Sequence, residues 1–223
     1  MSKTGKIIIL IILIVLIGIL AWILVFGPKF QKRNTILIDQ KPDAKNQPSQ
    51  TLDTTKTPDL SQPLDRANER VTKKPFGIHI TPEISPIQPE KFTGYHTGTD
   101  YEIFAGEENQ AVEVKTICEG KLLAKRQVSG YGGVAIQACL INGQTVTVVY
   151  GHIKLESVTA NINDDLSPDQ TLAILGQGYS TETSGERKHL HLGIHKGSGI
   201  ELKGYVQNES QLSEWLNPLT LLK

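Results

Sequence analysis

The sequence predicts an all-β domain of antiparallel sheets that follows one membrane-spanning helix and a disordered stalk. Between residues 76 and 223 the apolar stretches are short, rich in β-branched residues and separated by turn residues, which is typical of strands. No long 3.6-residue periodicity occurs in this part of the sequence, which argues against a helical domain. One continuous apolar run, near the N-terminus, accounts for the predicted helix.

That apolar run, Ile7 to Phe26, contains 20 consecutive residues without a charge. At about 1.5 Å rise per residue a helix of this length spans about 30 Å, the thickness of the hydrocarbon core of a bilayer. Trp22 lies near its end, where an interfacial aromatic is expected, and Gly27-Pro28 ends the helix. A cleaved signal peptide would have a shorter apolar region and a small-x-small site. Residues 1–28 are therefore predicted to be an uncleaved single-pass anchor.

Lysines lie on both sides of the anchor, so the positive-inside rule does not decide its orientation. The short N-terminal tail favours an arrangement with the N-terminus inside and the domain outside. The sequence thus predicts a cell-membrane protein with an extracytoplasmic domain. A monomer is expected.

Residues 29–75 are rich in Pro, Gln, Asn, Thr, Asp and Lys and poor in aromatic residues. Such a composition buries too little apolar surface to offset the entropy of ordering, so a disordered linker is predicted. A flexible chain of roughly 47 residues spans about 35–40 Å root-mean-square, which lets a tethered domain search the space beside a membrane.

Charge is unevenly distributed although the formal net charge is zero. Residues 1–75 contain 12 Lys/Arg and 6 Asp/Glu, whereas residues 76–223 contain 11 and 17. An acidic domain argues against nucleic acid as the main partner, which requires a basic surface. The basic stem suits anionic lipid or another anionic polymer.

The folded domain is predicted to occupy residues 76–223, with nine strands and one short helix. Asn142-Gly143 between two alternating segments predicts a two-residue hairpin turn. The helix is predicted within Glu209–Leu216. The predicted strands are Phe76–Ile80, Gly98–Phe104, Ala111–Cys118, Gly120–Lys125, Gly133–Leu140, Gln144–Tyr150, Thr171–Leu175, His189–His195 and Gly204–Val206.

The two cysteines, Cys118 and Cys139, each fall in or at the end of a predicted strand and lack the CxxC spacing of a structural zinc site. Two thiols in the core and a disulfide between neighbouring strands both remain open, the disulfide only if the domain is exported.

The segment from Lys188 to His195 carries three of the six histidines. In a strand, successive side chains point to opposite faces, so His189, His191 and His195 share one face with Gly193. This pattern fits a half-buried strand with a polar face, or a pair of metal ligands on that face.

Further metal-binding residue types occur upstream, at His96 and Asp100, with Gly98 between them. Together with one histidine of the 188–195 strand they offer two imidazoles and a carboxylate and leave a fourth position for water, which is the composition of a catalytic zinc site. His152 ends an apolar strand between these two motifs.

From Thr93 onward the ordered set of motifs resembles the lysostaphin-type zinc metallopeptidases, endopeptidases that cut peptide bonds in bacterial cell-wall peptidoglycan. The resemblance implies antiparallel β-sheets in a lysostaphin-like duplicated hybrid motif, with Zn²⁺ in a groove across one sheet. The residues that carry it are His96-Thr97-Gly98-Thr99-Asp100, Gly130-Tyr131-Gly132, Tyr150-Gly151-His152-Ile153, Gly176-x-Gly178, Ser184-Gly185, His189-Leu190-His191 and Trp215-Leu216-Asn217-Pro218-Leu219.

Carried over position by position, the resemblance implies that His96, Asp100 and His191 bind Zn²⁺. It implies that His152 and His189 are the catalytic histidines that orient the metal-bound water and stabilise the oxyanion. The substrate it implies is the peptide part of peptidoglycan.

Two other histidines lie outside the family motif. His195 is expected at the groove rim or on the surface, and His79 on the surface of a strand. Tyr131 and Tyr150, which lie within the motif, are expected to be packing residues, with a place at the border of the groove as the alternative.

The sequence also departs from the family pattern. Gly193 stands where the family usually has an acidic residue, and Glu102–Asn109 is longer and more acidic than usual. The region 164–170 lacks the usual glycine. These changes concern groove shape and substrate preference and leave every expected ligand in place.

The sequence thus predicts a membrane-anchored zinc endopeptidase acting on peptidoglycan. The alternative is a non-catalytic wall-binding module that activates a separate amidase, although such relatives usually lose zinc ligands and this chain retains all three. A carbonic anhydrase-like zinc enzyme is disfavoured, because it would leave the His-x-Gly-x-Asp and Tyr-Gly-His motifs unexplained.

Overall fold

The computed structural model describes residues 60–222. The predicted anchor Ile7–Phe26 and the predicted linker up to residue 59 lie outside the described part. Among residues 60–222, no helix is both long and apolar enough to cross a membrane.

In this part of the chain, β-strands dominate, and every strand pair is antiparallel. The all-β prediction is therefore confirmed. The strands are β1 (His79–Ile80), β2 (Gly94–His96), β3 (Gly98–Glu102), β4 (Glu113–Lys115), β5 (Gly120–Val128), β6 (Gly132–Ile141), β7 (Gln144–Lys154), β8 (Asp165–Leu166), β9 (Thr171–Leu175), β10 (His189–Lys196), β11 (Tyr205–Val206) and β12 (Trp215–Leu216). The helical segments are 3₁₀ turns at Ala67–Glu69, Leu155–Ser157, Thr181–Thr183 and Glu209–Glu214, and the C-terminal helix α1 (Pro218–Leu221).

The strands form two sheets. β1, β2 and β11 make a three-stranded sheet with β2 in the middle, and the other nine strands make the larger sheet. β10 is central in the larger sheet, with β7 along one edge and both β3 and β12 along the other. This central strand carries the His-x-His segment.

The core of the domain follows from the alternation along β10. Leu190, Leu192 and Ile194 are fully buried and belong to the main hydrophobic cluster. His189 and His191 lie on the other face of the strand. One face of β10 thus packs into the main hydrophobic core, and the opposite face carries the histidines.

A smaller apolar cluster flanks the histidine face, because the pairing places Val149 of β7 opposite Gly193 and Gly151 opposite His191. Val149 belongs to this smaller cluster. The other buried members of that cluster are Tyr131, Val134 and Ile136.

The long hairpin is formed as predicted. Asn142 and Gly143 have φ angles of 50° and 75°, and they connect β6 to β7, whose register begins with Ile141 opposite Gln144. Positive φ at both central residues is the conformation that Asn-Gly turns favour.

The strands that were not predicted from the sequence are short. β2, β8 and β12 contain only two or three residues, too few for alternation to be visible in the sequence. The predicted helix within Glu209–Leu216 is a 3₁₀ segment that ends at Glu214 and leads into β12.

The predicted domain start at Phe76 differs from the structure, in which part of the segment 60–75 already packs against the domain. Leu64 and Ala67 are buried in the main cluster. The carbonyls of Arg70 and Lys74 accept hydrogen bonds from backbone amides of β3, at 2.8 and 2.9 Å. The segment therefore covers the free edge of a strand, a long-range role that its polar composition does not reveal.

Of the two possibilities for the cysteines, free thiols or a disulfide, the structure contains the disulfide. Cys118 and Cys139 are bonded, with their Cα atoms 6.1 Å apart, and they link the segment before β5 to β6. Both residues are buried, so the bond lies within the core.

Candidate metal centre

Strand pairing brings the three predicted metal ligands together. Asp100 in β3 lies directly opposite His191 in β10, and His96 ends β2 just before β3 begins. The close approach depends on Gly98, because a Cβ at that position would lie 2.6 Å from Nε2 of His191 and 2.6 Å from the carbonyl oxygen of Leu192. The glycine in the His-x-Gly-x-Asp motif is thus required by packing against the third candidate ligand.

The three donor atoms form a small triangle. Nε2 of His96 lies 3.0 Å from Nδ1 of His191 and 3.2 Å from Oδ1 of Asp100. Nδ1 of His191 lies 3.2 Å from the same Oδ1. Donors of a tetrahedral zinc ion, each about 2.0–2.1 Å from the metal, lie about 3.3 Å apart. The three residues therefore fit a zinc ion and leave one coordination position for another group.

The remaining nitrogens of the two candidate histidine ligands have partners of their own. Nδ1 of His96 lies 3.2 Å from the carbonyl oxygen of Pro75, so this nitrogen carries the proton and Nε2 is free to bind a metal. Nε2 of His191 lies 3.3 Å from the hydroxyl of Tyr131. Both rings are held in the orientation that a metal requires.

His189 is two positions before His191 on the same strand face. Its Nδ1 lies 2.8 Å from the carbonyl oxygen of Arg187, an arrangement that places the proton on Nδ1. Its Nε2 then has a free lone pair and faces the site, 3.3 Å from Oδ2 of Asp100. His189 can therefore accept a proton beside the metal position without belonging to the donor triangle.

His152 follows Gly151 near the end of β7, and its ring centroid lies 4.3 Å from that of His189. Its φ of 62° is left-handed, an uncommon conformation for a residue with a side chain. Its Nδ1 is buried without a hydrogen-bond partner among the described residues. Such strain and an unused buried nitrogen are typical of a functional site.

Gly151 is also required here, because a Cβ at that position would lie 2.5 Å from Cδ1 of Tyr131. The Tyr-Gly-His motif thus allows Tyr131 to reach His191 while His152 turns toward His189.

The electrostatics favour charge on Asp100 and neutral rings on two histidines. Burial opposes ionisation of Asp100, but the contacts of its carboxylate with His189, His96 and His191 outweigh this effect and hold the pKa of Asp100 well below its usual value. Burial lowers the pKa of His191 to about 4. Burial, with a smaller contribution from His189, lowers the pKa of His152 well below 6.5. At neutral pH the site thus offers an ionised Asp100 and an unprotonated His191, the forms of these two groups that bind a metal.

These shifts make the stability of the metal-free protein pH-dependent. The folded pKa values of His152 and His191 lie below the unfolded value near 6.5, so between about pH 6.5 and pH 4 the unfolded chain binds more protons. We expect the free energy of unfolding to fall as the pH falls through this window, by at most about 1.4 kcal/mol per pH unit for each group. Urea denaturation of the full chain in detergent and chelator, at several pH values, measures this slope.

His152→Asn is the informative variant, because asparagine tolerates a left-handed backbone and does not titrate in this range. It should reduce the slope relative to the natural chain. An unchanged slope would show that His152 does not contribute.

The donor triangle opens onto a groove with a cavity of about 290 Å³. Phe92 stacks on Tyr205 along one wall, with ring centroids 5.4 Å apart. Leu202 and Tyr131 add further apolar surface, and Glu186 adds a charge. Apolar walls with a few charged groups are typical of a ligand-binding site.

Three side chains near the site were missed or underestimated in the sequence. Tyr131, expected to be a packing residue, contacts His191 through its hydroxyl, and burial raises its pKa. Arg187 donates from Nη2 to Oδ2 of Asp100 at 2.8 Å. Lys74, in the predicted linker, is buried in the groove wall beside Tyr205. The only sequence signal for Arg187 was its position two residues before His189 of the His-x-His motif.

The other singled-out residues lie apart from the donor triangle. His195 packs edge-on against Trp215, with ring centroids 4.9 Å apart, and His79 is exposed beside Tyr95. Tyr150 is fully buried and accepts a hydrogen bond from the amide of Ile117, as expected of a packing residue.

Gly193 lies between the metal position and the tryptophan of β12. A Cβ there would lie 3.4 Å from both Nε2 of His191 and Cζ3 of Trp215. Both distances are ordinary van der Waals contacts, so a Cβ fits at this position and packing does not explain the glycine.

No protein-family model matches the chain, and no curated protein matches it. Solved structures that resemble it include Helicobacter pylori Csd3, at 17% identity and a TM-score of 0.46, over 74% of this chain and 34% of Csd3. LytU resembles it at 18% identity and a TM-score of 0.43, over 76% of this chain and 88% of LytU. A protein described as a glycyl-glycine endopeptidase, LytM from Ruminococcus gnavus, does so at 19% identity and a TM-score of 0.37, over 61% of this chain and 57% of that one.

The neighbours also include a protein described as a peptidase M23 from Pseudomonas aeruginosa, at 16% identity and a TM-score of 0.34, over 61% of this chain and 49% of that one. The similar region spans about a third of the Csd3 chain.

Proposed function

We propose that the chain is a membrane-anchored zinc metalloendopeptidase that hydrolyses peptide bonds of bacterial peptidoglycan. The observation that carries the proposal is the buried donor triangle of His96, Asp100 and His191, with the imidazoles of His189 and His152 beside it in a groove. A structural zinc site has four protein ligands, whereas three ligands and an open position are typical of a catalytic one.

A zinc ion held by these three residues would supply Lewis acidity, polarising the scissile carbonyl and lowering the pKa of water. His189 accepts the proton of the attacking water at Nε2, because its Nδ1 proton is donated to the carbonyl of Arg187. The imidazolium so formed lies 3.3 Å from Oδ2 of Asp100, which stabilises it, and it returns the proton to the leaving amine.

His152 has the complementary role toward the substrate. His152 lines the groove beside His189, so its ring is placed to hydrogen-bond the substrate where charge develops on the carbonyl oxygen. Burial of the ring excludes competing water.

The proposed setting is the outer side of a cell membrane, with the domain tethered by the predicted anchor and linker. The disulfide between Cys118 and Cys139 supports an exported domain, since such bonds persist in oxidising compartments. The peptide part of peptidoglycan is the proposed substrate, no nucleic acid is involved, and the protein is proposed to act as a monomer.

The test is digestion of purified peptidoglycan by the full chain in detergent, followed by mass spectrometry of the released muropeptides. New amino and carboxyl termini should appear, disappear when zinc is removed by a chelator, and return when zinc is added. The masses also identify which bond is cut.

The amidase-activator alternative makes the opposite prediction. In that case the chain would release no new peptide termini by itself, with or without zinc, and would increase cleavage by an added cell-wall amidase. That result would overturn the proposal.

A further inference from the structure

We infer that Arg187 is a positioning residue that orients two members of the site at once, holding Asp100 with its side chain and His189 with its carbonyl group. The inference deepens the proposed function and rests on it. Neither the His-x-Gly-x-Asp nor the His-x-His motif includes this arginine.

The two carboxylate oxygens of Asp100 have different partners, and Arg187 binds only one of them. Oδ1 faces His96 and His191 within the donor triangle. Oδ2 accepts a hydrogen bond from Nη2 of Arg187 at 2.8 Å. With one oxygen committed to the guanidinium, the carboxylate presents a single oxygen to a metal. Arg187 thereby fixes the rotation of the carboxylate and favours monodentate binding.

A second carboxylate holds the arginine in place. Nε of Arg187 donates to Oε2 of Glu102 at 2.9 Å, and Nη2 lies 2.5 Å from Oε1. Glu102 is paired with His189 in the register of β3 and β10, so the ion pair lies directly beside the site. Arg187 is 8% exposed, and a guanidinium buried to this extent requires such partners.

The geometry requires arginine rather than any cation. Asp100 and Glu102 point to the same face of β3, and one planar fork contacts both. A lysine carries a single compact ammonium and lacks this fork, so it cannot reproduce both sets of hydrogen bonds in the same plane.

The backbone of the same residue acts on His189. The carbonyl of Arg187 accepts the Nδ1 proton of His189 at 2.8 Å. Because the side chain is anchored to two buried carboxylates of β3, the carbonyl is anchored as well. One residue thus couples the orientation of the metal-binding carboxylate to the tautomer of the proposed base.

Arg187→Gln and Arg187→Lys test the inference, and Arg70→Gln is the matched control. Arg70 is also buried and pairs with a carboxylate, that of Glu107, at 2.7 Å. Its side chain contacts Glu102 only at the backbone carbonyl oxygen, at 3.2 Å, and has no hydrogen bond to a candidate ligand among the described residues. Both glutamine substitutions remove a buried ion pair and should lower the thermal midpoint of the metal-free protein. Comparing the two variants therefore separates a general loss of stability from an effect on metal binding.

The decisive measurements are the zinc dissociation constant, obtained by competition with a chromophoric chelator, and the visible spectrum of the Co²⁺-loaded full chain. Loss of an outer partner of a metal ligand typically weakens metal binding by about 10–100-fold. We expect Arg187→Gln to show such a loss, with weaker visible bands as Asp100 turns to bind with both oxygens. Arg70→Gln should retain the natural affinity and spectrum.

Arg187→Lys keeps a positive charge between the two carboxylates, so it replaces Arg187→Gln in these measurements if the glutamine variant does not fold. It should still weaken zinc binding by several-fold and alter the Co²⁺ spectrum. The inference is overturned if the folded Arg187 variants keep the zinc dissociation constant and the Co²⁺ spectrum of the natural chain. It is also overturned if Arg70→Gln changes both to the same extent. If the natural chain binds neither metal, the proposed function itself fails, which is a distinguishable result.

Discussion

Replacing His191 with alanine is expected to abolish zinc binding and to reduce hydrolysis of peptidoglycan to the level of the chelator-treated protein. His191 supplies Nδ1 to the donor triangle from the central strand of the large sheet. Without it, His96 and Asp100 remain as two donors, fewer than the three protein ligands of a catalytic zinc site. Zinc analysis of the dialysed full chain should fall from about one ion per chain to none.

His195→Ala is the matched control, because His195 lies on the same strand and packs against Trp215, away from the donor triangle. It should retain zinc and activity. If His191→Ala still bound zinc stoichiometrically, or if both variants lost it equally, the assignment of His191 as a ligand would be wrong.

Much of the fold was predictable because its signals are local. The alternation along β10 and the Asn142-Gly143 turn both depend on neighbouring residues, and both are formed as predicted. Strands of two residues, such as β8, have no alternation to detect. Leu64 and Ala67 belong to the core through contacts with residues far away in the sequence. Because the stretch around them is polar, the sequence did not indicate that the packed domain extends upstream of Phe76.

The candidate site could be predicted only in part, for the same reason. His96 and Asp100 lie four positions apart with a glycine between them, and the ordered motifs linked them to His191 across the chain. Arg187 has no such pattern, and its significance depends on the register that sets Glu102 opposite His189. Sequence motifs thus identified the candidate metal ligands, whereas Arg187, which contacts one of them, could be recognised only from the strand pairing.

His189→Ala is expected to lower kcat by about 10²–10⁴-fold while leaving zinc content unchanged, the range usual for loss of a general acid or base. The ring lies outside the donor triangle, and its Nε2 is the free nitrogen nearest to Asp100. Alanine removes this nitrogen but leaves the three candidate ligands and the ion pairs of Arg187 in place. Steady-state kinetics on a defined muropeptide, with zinc analysis of the same sample, separates the two effects. Loss of zinc in this variant would make His189 a ligand, and full activity would remove it from the proposed proton transfer.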